Sequence, residues 1–300
     1  MARQSIAPKF WKRRPLTLLA LNAPKADLPP GSFSADPEIT ETVIHLSRLP
    51  AQYDGLRIVH LTDIHLSLYT PIEEVQRVVD LANRLQPDVV ALTGDYVTFS
   101  PTYIWPVARA LGRLRAPMGT FAVLGNHDFR AGADEITRAL RAQRIRVLRN
   151  AHFALRRTIE TSKTAKLFET EKTSKTCSAG KPLWLVGVDD SWVATRDLPG
   201  ALRSVPDCDA KILLCHNPEG IGEASRMGID LMLSGHTHGG QLRLPILRSI
   251  YRSIPGERFV EGWNRLGDTQ IYVSRGIGKV VVPLRVACRP EIACLSLCRN

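Results

Sequence analysis

The sequence predicts an α/β protein built from two facing sheets, and three observations lead there. Apolar runs of strand length alternate with amphipathic segments of helix length through the first half of the chain. The second half is richer in strand-like runs. Residues that can hold metal or move protons cluster just past the ends of those runs, where open α/β sheets bind ligands.

Taken in order, a first strand is expected over residues 41–46, followed by a turn through Leu49-Pro50 to Gly55. Residues 57–61 (RIVHL) form a short apolar run of the kind buried on both faces. Thr70-Pro71-Ile72-Glu73 reads as a capping box with proline at the first helical position. The helix it opens runs to about Leu85, with Ile72, Val75, Val79 and Ala82 on one stripe, and Pro87 stops it. A second buried strand follows over 88–92, then a helix over 104–114, a strand over 119–124, a helix over 134–143 and a strand over 146–148. Such alternation implies a parallel sheet covered on both faces. Further strands are expected over 184–188, 211–214, 231–233, 270–274 and 291–297, with a helix near 219–227. The sum is a two-sheet α/β sandwich in a single domain over 36–300. Residues 157–181 are almost all Thr, Lys, Glu and Ser and read as a polar, flexible loop extending a hairpin.

Composition excludes several classes. Among 300 residues, 44% are hydrophobic and 23% charged, enough for a core and unlike a disordered, collagenous or coiled-coil chain. No apolar run reaches the ~20 residues of a membrane span. The net charge is +11, and six basic residues against Asp27 alone lie in residues 1–35, which read as a basic tail. A basic surface favours anionic partners without choosing among them. Six cysteines with no C-x-x-C pair suggest reduced thiols rather than a disulfide scaffold.

Five clusters carry the chemistry. They are Thr62-Asp63-Ile64-His65, Gly94-Asp95, Gly125-Asn126-His127-Asp128, Cys215-His216-Asn217-Pro218 and Ser234-Gly235-His236-Thr237-His238-Gly239-Gly240, each just after a predicted strand. Alternation along an extended chain puts Asp63 and His65 on one side, where a carboxylate and an imidazole can grip one ion. Each cluster alone has a bland reading: a turn former, a helix cap or a structural histidine. Together they offer carboxylates, an amide and imidazoles without a thiolate, a set suited to hard-to-borderline divalent cations. Cys215 is expected to face the other way and pack.

In this order the clusters match D-x-H, G-D, G-N-H-[DE], H and G-H-x-H, and the sequence resembles the calcineurin-like metallophosphoesterase superfamily over residues 57–240. With Leu-Ser-Gly-His-Thr-His-Gly-Gly-Gln and the stretch Tyr272–Gly278, the likeness to the bacterial YkuE/YaeI-type phosphodiesterase branch extends over about 40–297. The resemblance implies a four-layer αββα fold and two divalent metals, with Mn, Fe, Zn, Ni and Co all admissible. It implies Asp63, His65 and His238 on one ion, Asn126, His216 and His236 on the other, and Asp95 bridging. His127 would protonate the leaving oxygen, with Asp128 orienting it. The reaction implied is in-line attack of a bridging hydroxide on a phosphodiester or pyrophosphate.

Departures narrow the substrate. Gly94-Asp95 is followed by Tyr96-Val97-Thr98-Phe99 rather than V-D-R-G, so a Ser/Thr protein phosphatase is not expected. The alternatives are a lipid-precursor hydrolase resembling a UDP-2,3-diacylglucosamine pyrophosphatase, a nuclease of the same superfamily, and a catalytically silent scaffold. The nuclease lacks the basic–aromatic interleaving of a stacking groove, so nucleic acid is not the expected partner. The scaffold fits poorly with seven intact ligand positions. A cytoplasmic location is expected. The basic tail adds peripheral contact with an anionic membrane as a secondary reading, and Arg13-Arg14 adds twin-arginine export as a minority one.

Overall fold

The structure is a computed structural model that describes residues 36–157, 180–243 and 259–300. The basic tail and all but the edges of the polar stretch at 157–181 lie outside the described residues. So does Cys177; the other five cysteines are free thiols.

Two six-stranded sheets form the frame. The first contains β1 (Glu38–Leu46), β2 (Arg57–Leu61), β3 (Val89–Leu92), β4 (Thr120–Ala122), β5 (Arg146–Val147) and β12 (Glu291–Arg299), in the order β1-β12-β2-β3-β4-β5. The second contains β6 (Ala151–Leu155), β7 (Leu183–Gly187), β8 (Lys211–Leu214), β9 (Leu231–Ser234), β10 (Gly262–Leu266) and β11 (Thr269–Val273), in the order β10-β11-β9-β8-β7-β6. Strands β2 to β5 run parallel, as do β7, β8, β9 and β11. Neither sheet is wholly parallel: β12 lies antiparallel to β2, β6 to β7 and β10 to β11.

Side-chain alternation sorts the core into three layers of apolar contact. Ile58, Ala91, Phe121 and Val123 meet Leu185, Ile212, Leu214 and Leu233 between the sheets. Val59, Leu61, Val90 and Leu92 point the other way. They pack under α1 (Ile72–Arg84), α2 (Ile104–Leu111) and α3 (Asn126–Ala142) through Val75, Val79, Val107 and Ile136. Val186, Leu213, Met232 and Ile271 pack under α4 (Leu198–Ala201) and α5 (Ile221–Arg226). The result is the four-layer α/β sandwich. Its central strands read as unbroken apolar runs because both of their faces are covered.

Two helix starts differ from expectation. Pro71, not Thr70, is the N-cap of α1, and no side chain caps it. The Thr70 hydroxyl instead accepts the Lys279 N–H at 3.1 Å, tying this turn to the segment after β11. Helix α3 begins at Asn126, eight residues before the expected 134, and breaks at Gly132 (φ 133°). The expected start falls just past that break, where the apolar stripe resumes. Among the described residues no helix is long and apolar enough to cross a membrane.

Candidate metal centre

All five predicted clusters converge at the carboxyl ends of β2, β3, β4, β8 and β9. The first loop, after β2, is stitched to the second by backbone bonds from Asp63 N–H to the Gly94 carbonyl and from His65 N–H to the Asp95 carbonyl, both 2.9 Å. This requires left-handed backbone at Asp63 (φ 50°), His65 (φ 47°) and Asp95 (φ 56°). His236 (φ 72°) and His238 (φ 51°) share it. Non-glycine residues seldom adopt this conformation, and it persists where surrounding contacts over-determine it.

The side chains form two groups around Asp95. His65 Nε2 lies 3.1 Å from His238 Nε2 and 3.5 Å from Asp95 Oδ2, and His238 Nε2 lies 3.3 Å from Asp63 Oδ1. On the other side, His216 Nε2 lies 3.2 Å from the same Asp95 Oδ2 and 3.2 Å from His236 Nδ1, which is 3.2 Å from Asn126 Oδ1. Ligand atoms about 2.0–2.2 Å from one cation stand roughly 2.8–3.6 Å apart at octahedral to tetrahedral angles. Lone-pair atoms this close repel unless a proton or a cation lies among them. The donor set therefore fits divalent metal.

The second nitrogens fix the rings. His216 Nδ1 donates to the Thr93 carbonyl at 2.7 Å, which turns Nε2 towards Asp95. His65 Nδ1 lies 3.3 Å from the Thr98 hydroxyl. Burial alone would strip charge from His216, yet the Asp95 and Asp63 carboxylates outweigh it and hold its imidazolium well above the ordinary range. His65 and His238 go the other way: burial pushes both well down. Burial, with His216 adding to it, lowers His236 to about 4. Asp95 is held well below the usual carboxylate range because the histidine charges, His216 foremost, outweigh its burial.

Asp128 does not orient His127 as expected. Its carboxylate accepts the N–H groups of Asp95 (2.7 Å), Tyr96 (2.9 Å) and Gly125 (2.9 Å), capping α3 and pinning the loop that carries Asp95. It is a positioning residue for Asp95. Burial and the neighbouring Asp95 push its own carboxyl up to about 8. The His127 ring is set by Nδ1, 2.7 Å from the Thr98 carbonyl, and its backbone N–H donates to Asp95 Oδ1 at 2.9 Å. A ring nitrogen of His127 lies within 4.8 Å of the His65 and Asp95 ligand atoms. Cys215 is buried against Met232 and Ile221, as expected of a packing residue.

Several contributors carried no sequence signal. Arg285 places Nη2 3.3 Å from His238 Nδ1 and Nη1 3.4 Å from the His238 carbonyl. Its guanidinium also bonds the Gly278 and Arg275 carbonyls. The stretch Tyr272–Gly278 has a steric reason: it crosses the first loop, with Ile277 N–H on the Thr62 carbonyl and Gly278 N–H on that of Asp63. A Cβ on Gly276 would stand 2.6 Å from the Asp63 Cβ.

An α/β sandwich with this Asp/His/Asn cluster at its strand ends defines a metal-dependent phosphoester hydrolase. The profile of the calcineurin-like phosphoesterase family matches residues 56–240, and the chain belongs to that family. It is 32% identical over 263 residues to the uncharacterized metallophosphoesterase YkuE of Bacillus subtilis, covering 87% of this chain and 85% of that one. It is 30% identical over 246 residues to phosphodiesterase YaeI of Escherichia coli, covering 80% and 82%. A transmembrane protein with metallophosphoesterase domain from Danio rerio is 31% identical over 272 residues. That match covers 87% of this chain but 57% of the relative, so the chain spans little more than half of that protein.

Proposed function

We propose that this protein hydrolyses phosphodiesters at a centre of two divalent cations. One observation carries the reading: a single atom, Asp95 Oδ2, lies 3.5 Å from His65 Nε2 and 3.2 Å from His216 Nε2. A carboxylate shared in this way would join two ligand sets and hold their ions near each other. Asp63, His65 and His238 would hold one ion, and Asn126, His216 and His236 the other. When bound, the pair would activate water at neutral pH and neutralise phosphoryl oxygens.

The chain's own residues do the rest. Asp95 anchors both halves, and Asp128 fixes the backbone from which Asp95 projects. His127 donates Nδ1–H to the Thr98 carbonyl, which turns Nε2 outward; as the imidazolium, the ring would pass its Nε2 proton to the departing alkoxide and be left neutral. The similarity to a phosphodiesterase, YaeI, supports a diester over a monoester.

The test is turnover of bis(p-nitrophenyl) phosphate beside p-nitrophenyl phosphate on chelator-treated protein titrated with Mn²⁺, together with metal counting. Diester cleavage that saturates near two metals per chain is expected. Saturation at one metal, or preference for the monoester, overturns the reading.

A further inference from the structure

Of the nine candidate site residues, seven are buried and only His127 and His236 are partly open to solvent. The accessible edge of the centre is therefore these two rings. Each carries an exposed aromatic neighbour. Phe99 lies against His127, with ring centroids 4.9 Å apart, and Trp192 stands edge-on to His236 at 4.5 Å. Both aromatic residues are 54% exposed. Exposed apolar side chains are ordinary on a surface, and Leu68, Val43 and Trp263 are others; these two are set apart by their contact with the two open rings of the site.

Trp192 is also held by hydrogen bonds, and Phe99 by its place in the chain. The Trp192 indole N–H donates to Glu219 at 3.2 Å and its backbone N–H to the buried Asp190 carboxylate at 2.8 Å. Phe99 follows Thr98, whose carbonyl sets the His127 ring and whose hydroxyl faces His65. An aromatic ring set beside a reactive group and left open to solvent can serve as a wall for a ligand. The two walls belong to different halves of the centre: Phe99 meets His127, whose ring lies 4.9 Å from that of His65, and Trp192 meets His236, whose ring lies 5.1 Å from that of His216.

We infer that Phe99 and Trp192 are specificity-determining walls, each receiving one organic arm of a phosphodiester, and that the natural substrate bears a flat, carbon-rich group on both sides of phosphorus. The inference rests on the two-metal reading above and names its substrate class. A phosphate seated on the metals would project its leaving arm past His127 on to Phe99. The retained arm would pass His236 on to Trp192. A monoester fills one wall only.

The test is calorimetric binding of two phosphinates, whose P–C bonds resist hydrolysis, to the Mn²⁺-loaded full chain. Diphenylphosphinate is expected to bind at least about tenfold more tightly than dimethylphosphinate. Phe99→Ala and Trp192→Ala should each cut that ratio about three- to tenfold, while Trp192→Phe restores most of it. Equal affinity for the two phosphinates, or a preference that survives both alanine substitutions, overturns the inference with the metal reading intact. A chain that takes up no Mn²⁺ and binds neither compound overturns both.

Discussion

The two halves of the centre are built differently. Asp63, His65 and His238 are buried, and all three have left-handed backbone. The Gly276–Gly278 segment crosses over them and Arg285 backs His238. On the other side, Asn126 and His216 are buried too but have ordinary backbone, and His236, left-handed like the first three, is partly open beside an exposed tryptophan. One half is closed, and the other opens to solvent at His236 alone. On the two-metal reading, the closed half would retain its ion and His236 would meet the substrate. Asp95 is the residue the halves have in common.

Removing that shared residue breaks the comparison outright and gives the largest effect. Asp95→Asn should lower kcat/KM on bis(p-nitrophenyl) phosphate by roughly 10²–10³-fold and reduce bound metal, read by elemental analysis. Wild-type metal content with wild-type activity would contradict the bridging role. Acid comes next. His60, buried between the sheets with Nε2 2.8 Å from the Thr93 hydroxyl, is pushed down to about 4 by burial, and His236 reaches a similar value. Each then costs roughly 3 kcal/mol to charge in the folded state. Both bind a proton more readily unfolded than folded, so stability falls as pH drops from 6.5 towards 4. His216 has the opposite sign, its stabilisation being full below 6.5 and lost as pH rises through its raised folded pKa. Chelator-treated protein should therefore lose Tm between pH 6.5 and 4, and His60→Gln should shrink that loss. Metal must also displace the His216 proton, so Mn²⁺ affinity should rise with pH.

Much of this was legible in the sequence, for physical reasons. Strands such as β2, β3, β8 and β9 are covered on both faces, so the chain states them as unbroken apolar runs. The ligand clusters follow directly because the loops that hold them are short. Edge strand β10 was not legible: its residues alternate between half-buried and exposed, with no apolar face to announce it. Nor was the start of α3, since Asn126 and His127 look like site residues rather than the first turn of a helix. The role of Asp128 was misread because carboxylate next to histidine suggests a pair, whereas position N3 of a helix turns that carboxylate back towards Gly125 N–H. Arg285 lies 47 residues beyond His238, and no local pattern marks the contact.

Two smaller effects sharpen the contrast between the halves. Arg285→Ala removes the guanidinium that ties the His238, Arg275 and Gly278 carbonyls together, and loosening that backbone should weaken metal binding about tenfold at the closed half. A two-step Mn²⁺ titration should then show only one step displaced; equal displacement of both would mean that the halves are not separable. Smallest is a comparison of two glycines. Gly276 (φ +70°) and Gly262 (φ +71°) share a backbone conformation that disfavours a side chain. Their surroundings differ, since a Cβ at 276 would meet Asp63 at 2.6 Å while one at 262 meets nothing within 4 Å. Both alanine variants carry the same conformational cost of about 1 kcal/mol. Gly276→Ala adds the displacement of Asp63, so it should cost about 1–2 kcal/mol more in denaturant unfolding and weaken the closed half's metal step. Gly262→Ala should leave metal binding alone. If the two variants unfolded alike and bound metal alike, the crossing segment would be a neighbour of Asp63 and not its clamp.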